Sequence, residues 1–471
     1  MEKPTVRISV RNLVEFILRE GDIDSRRGAT DKEAMQKGSR LHRKIQGRQD
    51  ATYRAEVSLK WKSEYEDVII LVEGRADGIF MEEGENFIDE IKGVLTNLEN
   101  IKEPVSVHLA QAKCYARIYG EMENCARIGI QMTYGNLDTE ELKYFRQEYS
   151  LEELKEWYDR LLDEYHKWIS YQLKWREERN LSMKNLDFPF PYREGQRRMV
   201  SSVYHAISEK KQIFIQAPTG VGKTMSTIFP AVRAVGEGKG ETVFYLTAKT
   251  ITRTVAEEAF EILRNRGLKF KSVTITAKDK ICPFKEAECN PESCPYAKGH
   301  YDRINDAVYE LWQEEHAYSR EKMLEHAGKW KVCPFEMCLD LALWTDGVIC
   351  DYNYVFDPNV KLKRFFGEGV SGNYIFLIDE AHNLVERGRE MYSASVCKEE
   401  VLEIRKKAGE KYPRFTKALS RVNRQLLEIR KDCEKYEVLE GPGALPLSLL
   451  QVMGEMDKIL EEGEDHQFID E

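Results

Sequence analysis

The 471 residues, 42% hydrophobic and 32% charged, are too many for one ordinary domain and suit a globular chain of about two to four domains. No run of about 18 uncharged apolar residues occurs and Met1 to Arg7 lacks the apolar stretch of a secretory signal, so a membrane span is excluded and a cytoplasmic location is expected. With 71 basic against 81 acidic residues the net charge of −10 gives no global basic footprint for nucleic acid, although an acidic exterior is compatible with a local groove that binds phosphates through backbone amides.

In chain order, residues 1–135 predict a mixed α/β unit. A helix runs from Val10 to Leu18 and a second carries Gly38 and His42. Alternating strands follow at Tyr53–Trp61, Val68–Glu73, Asp77–Met81 and Phe87–Ile91, then a helix around His108–Tyr119 and a strand at Ala126–Thr133. Residues 136–185 are expected to be a helical linker. The prolines at Pro189 and Pro191 mark a boundary. From there a βα rhythm predicts a parallel sheet over 186–394: strands at Gln212–Gln216, Thr242–Leu246, Val348–Cys350 and Tyr374–Ile378, with a helix at Thr224–Val235. A cysteine-bearing insertion interrupts it at about 278–340, and 395–471 is charged and helical.

The most specific motif is Ala217-Pro218-Thr219-Gly220-Val221-Gly222-Lys223-Thr224, placed after an apolar run and before a helix as a phosphate loop requires. Gly220 and Gly222 let the backbone amides wrap the phosphates of ATP, Lys223 is expected at the β/γ-phosphates, and the Thr224 hydroxyl on Mg²⁺. Its partner is Asp379-Glu380-Ala381-His382, at the carboxyl end of Tyr374–Ile378. Asp379 would hold Mg²⁺, and Glu380 would orient the attacking water. This phosphate loop with a DEAH box resembles a superfamily 2 helicase. Phe190-Pro191-Tyr192-Arg193-Glu194-Gly195-Gln196 is similar to the segment near the nucleotide base in XPD/DinG-like helicases, which puts Gln196 at the nucleotide. Val243–Thr250 resembles the next helicase motif, which implies DNA contacts from Thr247 and Lys249.

Ten cysteines in a chain without secretory features argue for a metal rather than disulfides, because six of them crowd into the 69 residues from Cys282 to Cys350. The candidate ligands are Cys282, Cys289, Cys294 and Cys333, spaced C-x6-C-x4-C-x38-C. Spacing alone leaves zinc as the rival, with Cys289 and Cys294 as one tight half. XPD/DinG-like helicases resemble this arrangement closely, with Cys-Pro at 282, 294 and 333, and the resemblance implies a 4Fe–4S cluster in the first motor lobe.

In the front unit, Gly38-x-x-x-His42, Asp77, Glu90-x-Lys92 and Gln111-x-x-x-Tyr115 occur in order. Any one of these arises by chance in so charged a chain; the joint pattern resembles RecB/AddB-like nucleases of the PD-(D/E)XK type. The resemblance implies a DNA-cleaving site that uses Mg²⁺ or Mn²⁺, with His42, Asp77 and Glu90 as ligands. Lys92 would serve the water or the phosphate, and Gln111 and Tyr115 the DNA strand. All of these lie before residue 116, so a fragment ending near 180 is expected to stand alone. A motor of this class also needs a second lobe, for which no motif is found, and 395–471 resembles the beginning of an arch domain. The expectation is a truncated chain, part of an ATP-dependent 5′-to-3′ DNA-repair helicase, that binds ATP weakly and does not unwind DNA alone. The alternatives are an inert DNA-binding module or a redox-sensing one.

Overall fold

Alternation of apolar and polar residues builds the first sheet. The computed structural model describes residues 3–26, 32–50, 52–218, 220–248, 250–284, 288–367, 369–431 and 433–462. The chain opens with β1 (Thr5–Ser9), α1 (Val10–Ile17) and α2 (Lys32–Gln46), followed by β2 (Arg54–Glu64), β3 (Ile69–Glu82) and β4 (Glu85–Val94). The two short strands expected at 68–81 are one long strand, β3, whose Ile70, Val72, Ala76 and Ile79 point into the core. β2 and β4 pair with β3 antiparallel, and β1 pairs with its first half in parallel. Helix α3 (Ser106–Met122) then crosses over and returns the chain as β5 (Arg127–Asn136), parallel to β4. This places Glu90 and Lys92 on an interior strand, with β3 on one side and β5 on the other.

Residues 136–150 depart from the expected helical linker. They turn back into β6 (Leu142–Ser150), antiparallel to β5 at the sheet edge. Helix begins only at α4 (Leu151–Lys184), where Ser150 and Glu153 form a capping box. The 34 residues of α4 are a spine rather than a linker. Leu154, Tyr158, Leu161, Leu162, Tyr165 and Ile169 belong to the core of the first sheet, whereas Met183 belongs to the core of the second. Between them Trp168 packs on Phe16 and Trp344, with ring centroids 5.0 and 4.8 Å away. A fragment ending near 180 would therefore lose Met183 and strip Trp168 and Trp175 of partners further along the chain, so the front module is not separable there.

The junction also holds a buried polar knot. Asp346 accepts hydrogen bonds from Trp175 Nε1 (2.9 Å), Arg179 Nη1 (2.6 Å) and the Lys271 amide (2.8 Å). Asp346→Ala leaves a buried guanidinium without its counter-charge. A loss of about 3–5 kcal/mol is expected, read from the urea midpoint, with a smaller loss when Arg179 is replaced by methionine as well. An unchanged midpoint would show that the knot does not hold the junction.

The second sheet is parallel throughout. After α5 (Gln196–Ser208) and α6 (Lys223–Gly236) come β7 (Thr242–Leu246), α7 (Thr250–Arg264), β8 (Ser272–Thr274) and α8 (Lys278–Ile281). α9 (His300–Glu314), β9 (Ala317–Tyr318), α10 (Arg320–Trp330), α11 (Pro334–Ala342), β10 (Gly347–Cys350) and β11 (Tyr374–Ile378) follow. The strand order is β11-β7-β10-β8-β9. Its strands are near-continuous apolar runs because helices cover both faces: Val243, Phe244, Tyr245 and Leu246 are all buried. The strand expected at Gln212–Gln216 is absent. This apolar segment pairs with no strand among the described residues, and Phe214 is 90% exposed.

A second compact unit spans Leu384–Glu471. Its helices Lys398–Ala408, Pro413–Arg430 and Leu445–Glu462 share a core of Val401, Phe415, Leu419, Val422 and Ile459. Among the described residues no helix is long and apolar enough to cross a membrane.

Candidate functional site

The phosphate loop and the DEAH segment meet at the carboxyl edge of the second sheet. Gly220 and Gly222 adopt φ of +82° and +79°, a region that side chains with a Cβ disfavour, and Gly222 is the N-cap of α6. No side chain caps that helix, so its first amides are available to an anion. Thr219 lies outside the described residues. Gln196, the first residue of α5, is buried behind the loop: its Nε2 donates to the Val221 carbonyl (2.8 Å) and its Oε1 accepts from the Arg193 amide (2.9 Å). The Arg193 guanidinium donates to the Gly220 carbonyl.

Lys223 Nζ stands 3.3 Å from Glu380 Oε1. The Tyr245 hydroxyl, from β7, is next to the side chains of both Thr224 and Asp379. Burial raises the Asp379 carboxyl above its usual range, opposed by Tyr245 and Lys223. Glu380 has φ of +48°, a left-handed conformation that is costly for a glutamate and concentrates at functional positions. Tyr352 steadies that turn by donating to the carbonyls of Asp379 and Glu380, and His382 Nδ1 lies 3.4 Å from Glu380 Oε2. Arg193, Tyr245 and Tyr352 were not singled out as site residues in the sequence, since nothing local distinguishes these tyrosines from core aromatics. Thr247 is 2% exposed, with its hydroxyl against that of Thr252. Lys249 lies outside the described residues.

Cys282, Cys289, Cys294 and Cys333 line one cavity, walled by apolar groups that include Ile23, Phe284, Tyr296 and Phe335. Cys333 is the N-cap of α11, and burial pushes its thiol up to about 11. Lys278 reaches the same cavity, and its ammonium is stabilised by the neighbouring Cys289 thiol against the cost of burial. Cys338 and Cys350 are buried in the core and line no part of it. Four thiols in one largely apolar cavity, with Lys278 and Glu336 as its charged groups, fit a thiolate-bound group.

In the front unit the dispersed candidates form two contact sets on the neighbouring strands β3 and β4. His42 Nδ1, on α2, is 3.5 Å from Asp77 Oδ1, on β3. Asp77 Oδ2 accepts from the Ile91 amide (2.8 Å), and Gln46, one turn beyond His42, donates to the Asp77 carbonyl (2.9 Å). Lys92 Nζ donates to Glu90 Oε1 (2.8 Å) and Gln111 Oε1 (3.0 Å), and Gln111 Nε2 lies 3.5 Å from the Tyr115 hydroxyl. Gly74 has no Cβ, which lets the Tyr115 ring press against β3. Glu90 is 1% exposed and its Oε2 is buried without a partner. Burial raises its carboxyl to about 8 against the opposing pull of Lys92. Two carboxylates, an imidazole and an orphaned buried oxygen suit a divalent cation in kind. Among the described residues, however, no three His, Cys, Asp or Glu side chains converge as tightly as a single ion requires, here or at the cysteine cavity.

Residues 193–321 match the DEAD/DEAH box helicase family and residues 267–401 match DEAD_2. The XPD ATP-dependent DNA helicase of Sulfolobus acidocaldarius is 23% identical over 56% of this chain and 45% of its own length. A probable ATP-dependent helicase of Methanocaldococcus jannaschii is 34% identical over 42% of this chain and 29% of its own. The human regulator of telomere elongation helicase 1 is 21% identical over 59% and 27%. A solved XPD helicase structure covers 58% of this chain and 47% of that one at 19% identity, with a TM-score of 0.39. The chain thus spans less than half the length of each of these relatives. The stretch from 193 to 401 is the part that these helicase families match, and XPD-type helicases are among its similar proteins.

Proposed function

We propose that residues 186–394 are the ATP-binding lobe of an ATP-dependent DNA helicase acting on DNA with a single-stranded region, in DNA repair. The observation that carries this is the approach of Lys223 to Glu380 at 3.3 Å, with Thr224 and Asp379 joined through Tyr245. Lys223 and the loop amides would hold the β/γ-phosphates, and Thr224 and Asp379 the Mg²⁺. Glu380 would orient and polarise water beside the terminal phosphate. The loop after β7 would meet the DNA backbone through its amides and Lys249, with Thr247 shaping the loop through Thr252. Movement 5′ to 3′ and a partial arch at 395–471 rest on the resemblance to XPD/DinG-like helicases. The test is ATP hydrolysis with and without single-stranded DNA; turnover indifferent to DNA would refute the motor.

The four-cysteine cavity is proposed to hold a 4Fe–4S cluster. Its support is that the lining contains four thiols, and that the helicase matches run across all four cysteines. When bound, a cluster supplies one-electron redox capacity and a cross-link between the 282–294 segment and α11. Protein purified without oxygen is expected to be brown with about four irons per chain. Stoichiometric zinc without iron would replace that assignment. The front unit is proposed to be a metal-dependent DNA nuclease module, supported by two contact sets on adjacent strands, His42 with Asp77 and Glu90 with Lys92 and Gln111.

A further inference from the structure

Helix α4 is not the only tie between the front unit and the motor. After α1 the chain leaves the first sheet and runs beside the cysteine segment. The Gly21 amide donates to the Asp302 carboxylate (2.7 Å), and the Gly21 carbonyl accepts from the Tyr301 amide (2.9 Å). Asp22 accepts from the Gly299 amide (2.6 Å), and the Ile23 amide donates to the Ala297 carbonyl (3.0 Å). The Ser25 amide donates to the carbonyl of Cys289 itself (2.8 Å), and Arg26 pairs with Glu292 at 2.7 Å. Upstream, Arg19 pairs with Asp340 at 2.8 Å on α11, the helix that Cys333 caps, and donates to Asn305 on α9 (2.8 Å). The Ile23 side chain lines the cavity together with the four cysteines.

These contacts fall on separate sources of the thiol set. Cys289 and Cys294 sit in the turns of 288–299, which contain no strand or helix, whereas Cys333 belongs to α11. A run of turns has no ladder of its own, and its backbone groups need partners from elsewhere. Residues 21–25 supply several of them. We propose that residues 19–26 of the front unit form a wall of the four-cysteine cavity that controls how fast solvent, oxidant and chelator reach the group the thiols hold. Ile23 is the apolar face of this wall, and the bonds made by Gly21, Asp22, Ile23, Ser25 and Arg26 keep it seated. The physical basis is that the apolar shell round a thiolate-bound group sets solvent access and local dielectric, and through them its retention and reduction potential. The helicase matches begin at residue 193, so the stretch they cover carries the thiols but not this wall. The proposal rests on the cluster assignment above, and its test separates the two.

The experiment uses the full chain, reconstituted with iron and sulfide without oxygen, and two variants. Ile23→Ala thins the wall. Asp22→Ala/Arg26→Ala loosens its seating through exposed side chains that do not line the cavity, so the urea midpoint is expected to stay close to wild type. Bleaching of the visible absorbance in air and iron release to ferrozine are both expected to run several-fold faster in each variant. In the metal-free chain, N-ethylmaleimide should modify Cys289 and Cys294 faster in both variants, read by peptide mass spectrometry. The exposed Cys397, in the second compact unit, should react as in wild type. Wild-type rates of iron release and alkylation in both variants overturn the wall. Faster alkylation with unchanged iron release overturns its control of the cluster. A chain that takes up no iron ends the cluster assignment, and the alkylation rates then decide the wall alone.

Discussion

Lys223→Ala is expected to remove DNA-stimulated ATP turnover and leave DNA binding largely intact. Lys223 is the cation at the mouth of the phosphate loop, 3.3 Å from the carboxylate that would direct water. Taking away one positioned charge where phosphoryl charge develops costs roughly 100- to 1,000-fold, and phosphoryl transfer has little but positioning and electrostatics to lose. A folding defect is not expected, because the side chain is 32% exposed and its ion pair lies at the surface, where such pairs contribute little. Glu380→Gln separates the roles: turnover should fall comparably while nucleotide affinity is kept, since the glutamate is assigned to water and not to phosphate. The measurements are phosphate release and binding of a fluorescent nucleotide. Wild-type hydrolysis by Lys223→Ala would end the motor assignment.

The parts legible in the sequence were those with a local cause. Thr242–Leu246 and Tyr374–Ile378 are strands over the residues expected, because buried parallel strands are unbroken apolar runs and a turn residue or acid ends each one. The phosphate loop was legible from glycines that must adopt positive φ. The four cysteines, far apart in sequence, were legible from crowding and adjacent prolines, and they share one cavity. What failed depended on tertiary partners. Gln212–Gln216 has strand composition but no neighbour to pair with. β6, Leu-Lys-Tyr-Phe-Arg-Gln-Glu-Tyr-Ser, is a half-exposed edge strand whose polar residues mask its alternation. The segment from Arg19 to Arg26 carries no periodicity at all, since its order comes from carbonyls and carboxylates more than 260 residues away, such as the Cys289 carbonyl that accepts from the Ser25 amide and the Asp302 carboxylate that accepts from the Gly21 amide.

Asp77→Ala and Lys92→Ala are each expected to abolish Mg²⁺- or Mn²⁺-dependent cleavage of single-stranded DNA, whereas Lys223→Ala should keep it, because the two chemistries use separate sites. The losses should differ in kind. Asp77 is held by the Ile91 amide and faces His42, so its removal takes away a ligand and the bound cation with it. Lys92 is not a ligand; it bridges Glu90 and Gln111 at 2.8 and 3.0 Å, in position to meet a phosphate. Its loss should spare much of the metal binding and still cost about 100- to 1,000-fold in rate. Gln46→Ala should cost less than either, because Gln46 reaches only the Asp77 backbone. The assay must use the whole chain, since α4 and the segment 19–26 bind the module to the motor. The background should be Lys223→Ala, without ATP, so that unwinding contributes nothing. Cleavage of a labelled oligonucleotide and Mn²⁺ binding by calorimetry are read side by side. If Asp77→Ala cuts as fast as its parent, the activity belongs elsewhere. If neither protein cuts while both bind single-stranded DNA, the front sheet is a DNA-holding relative of the nuclease fold, and the motor reading stands without it.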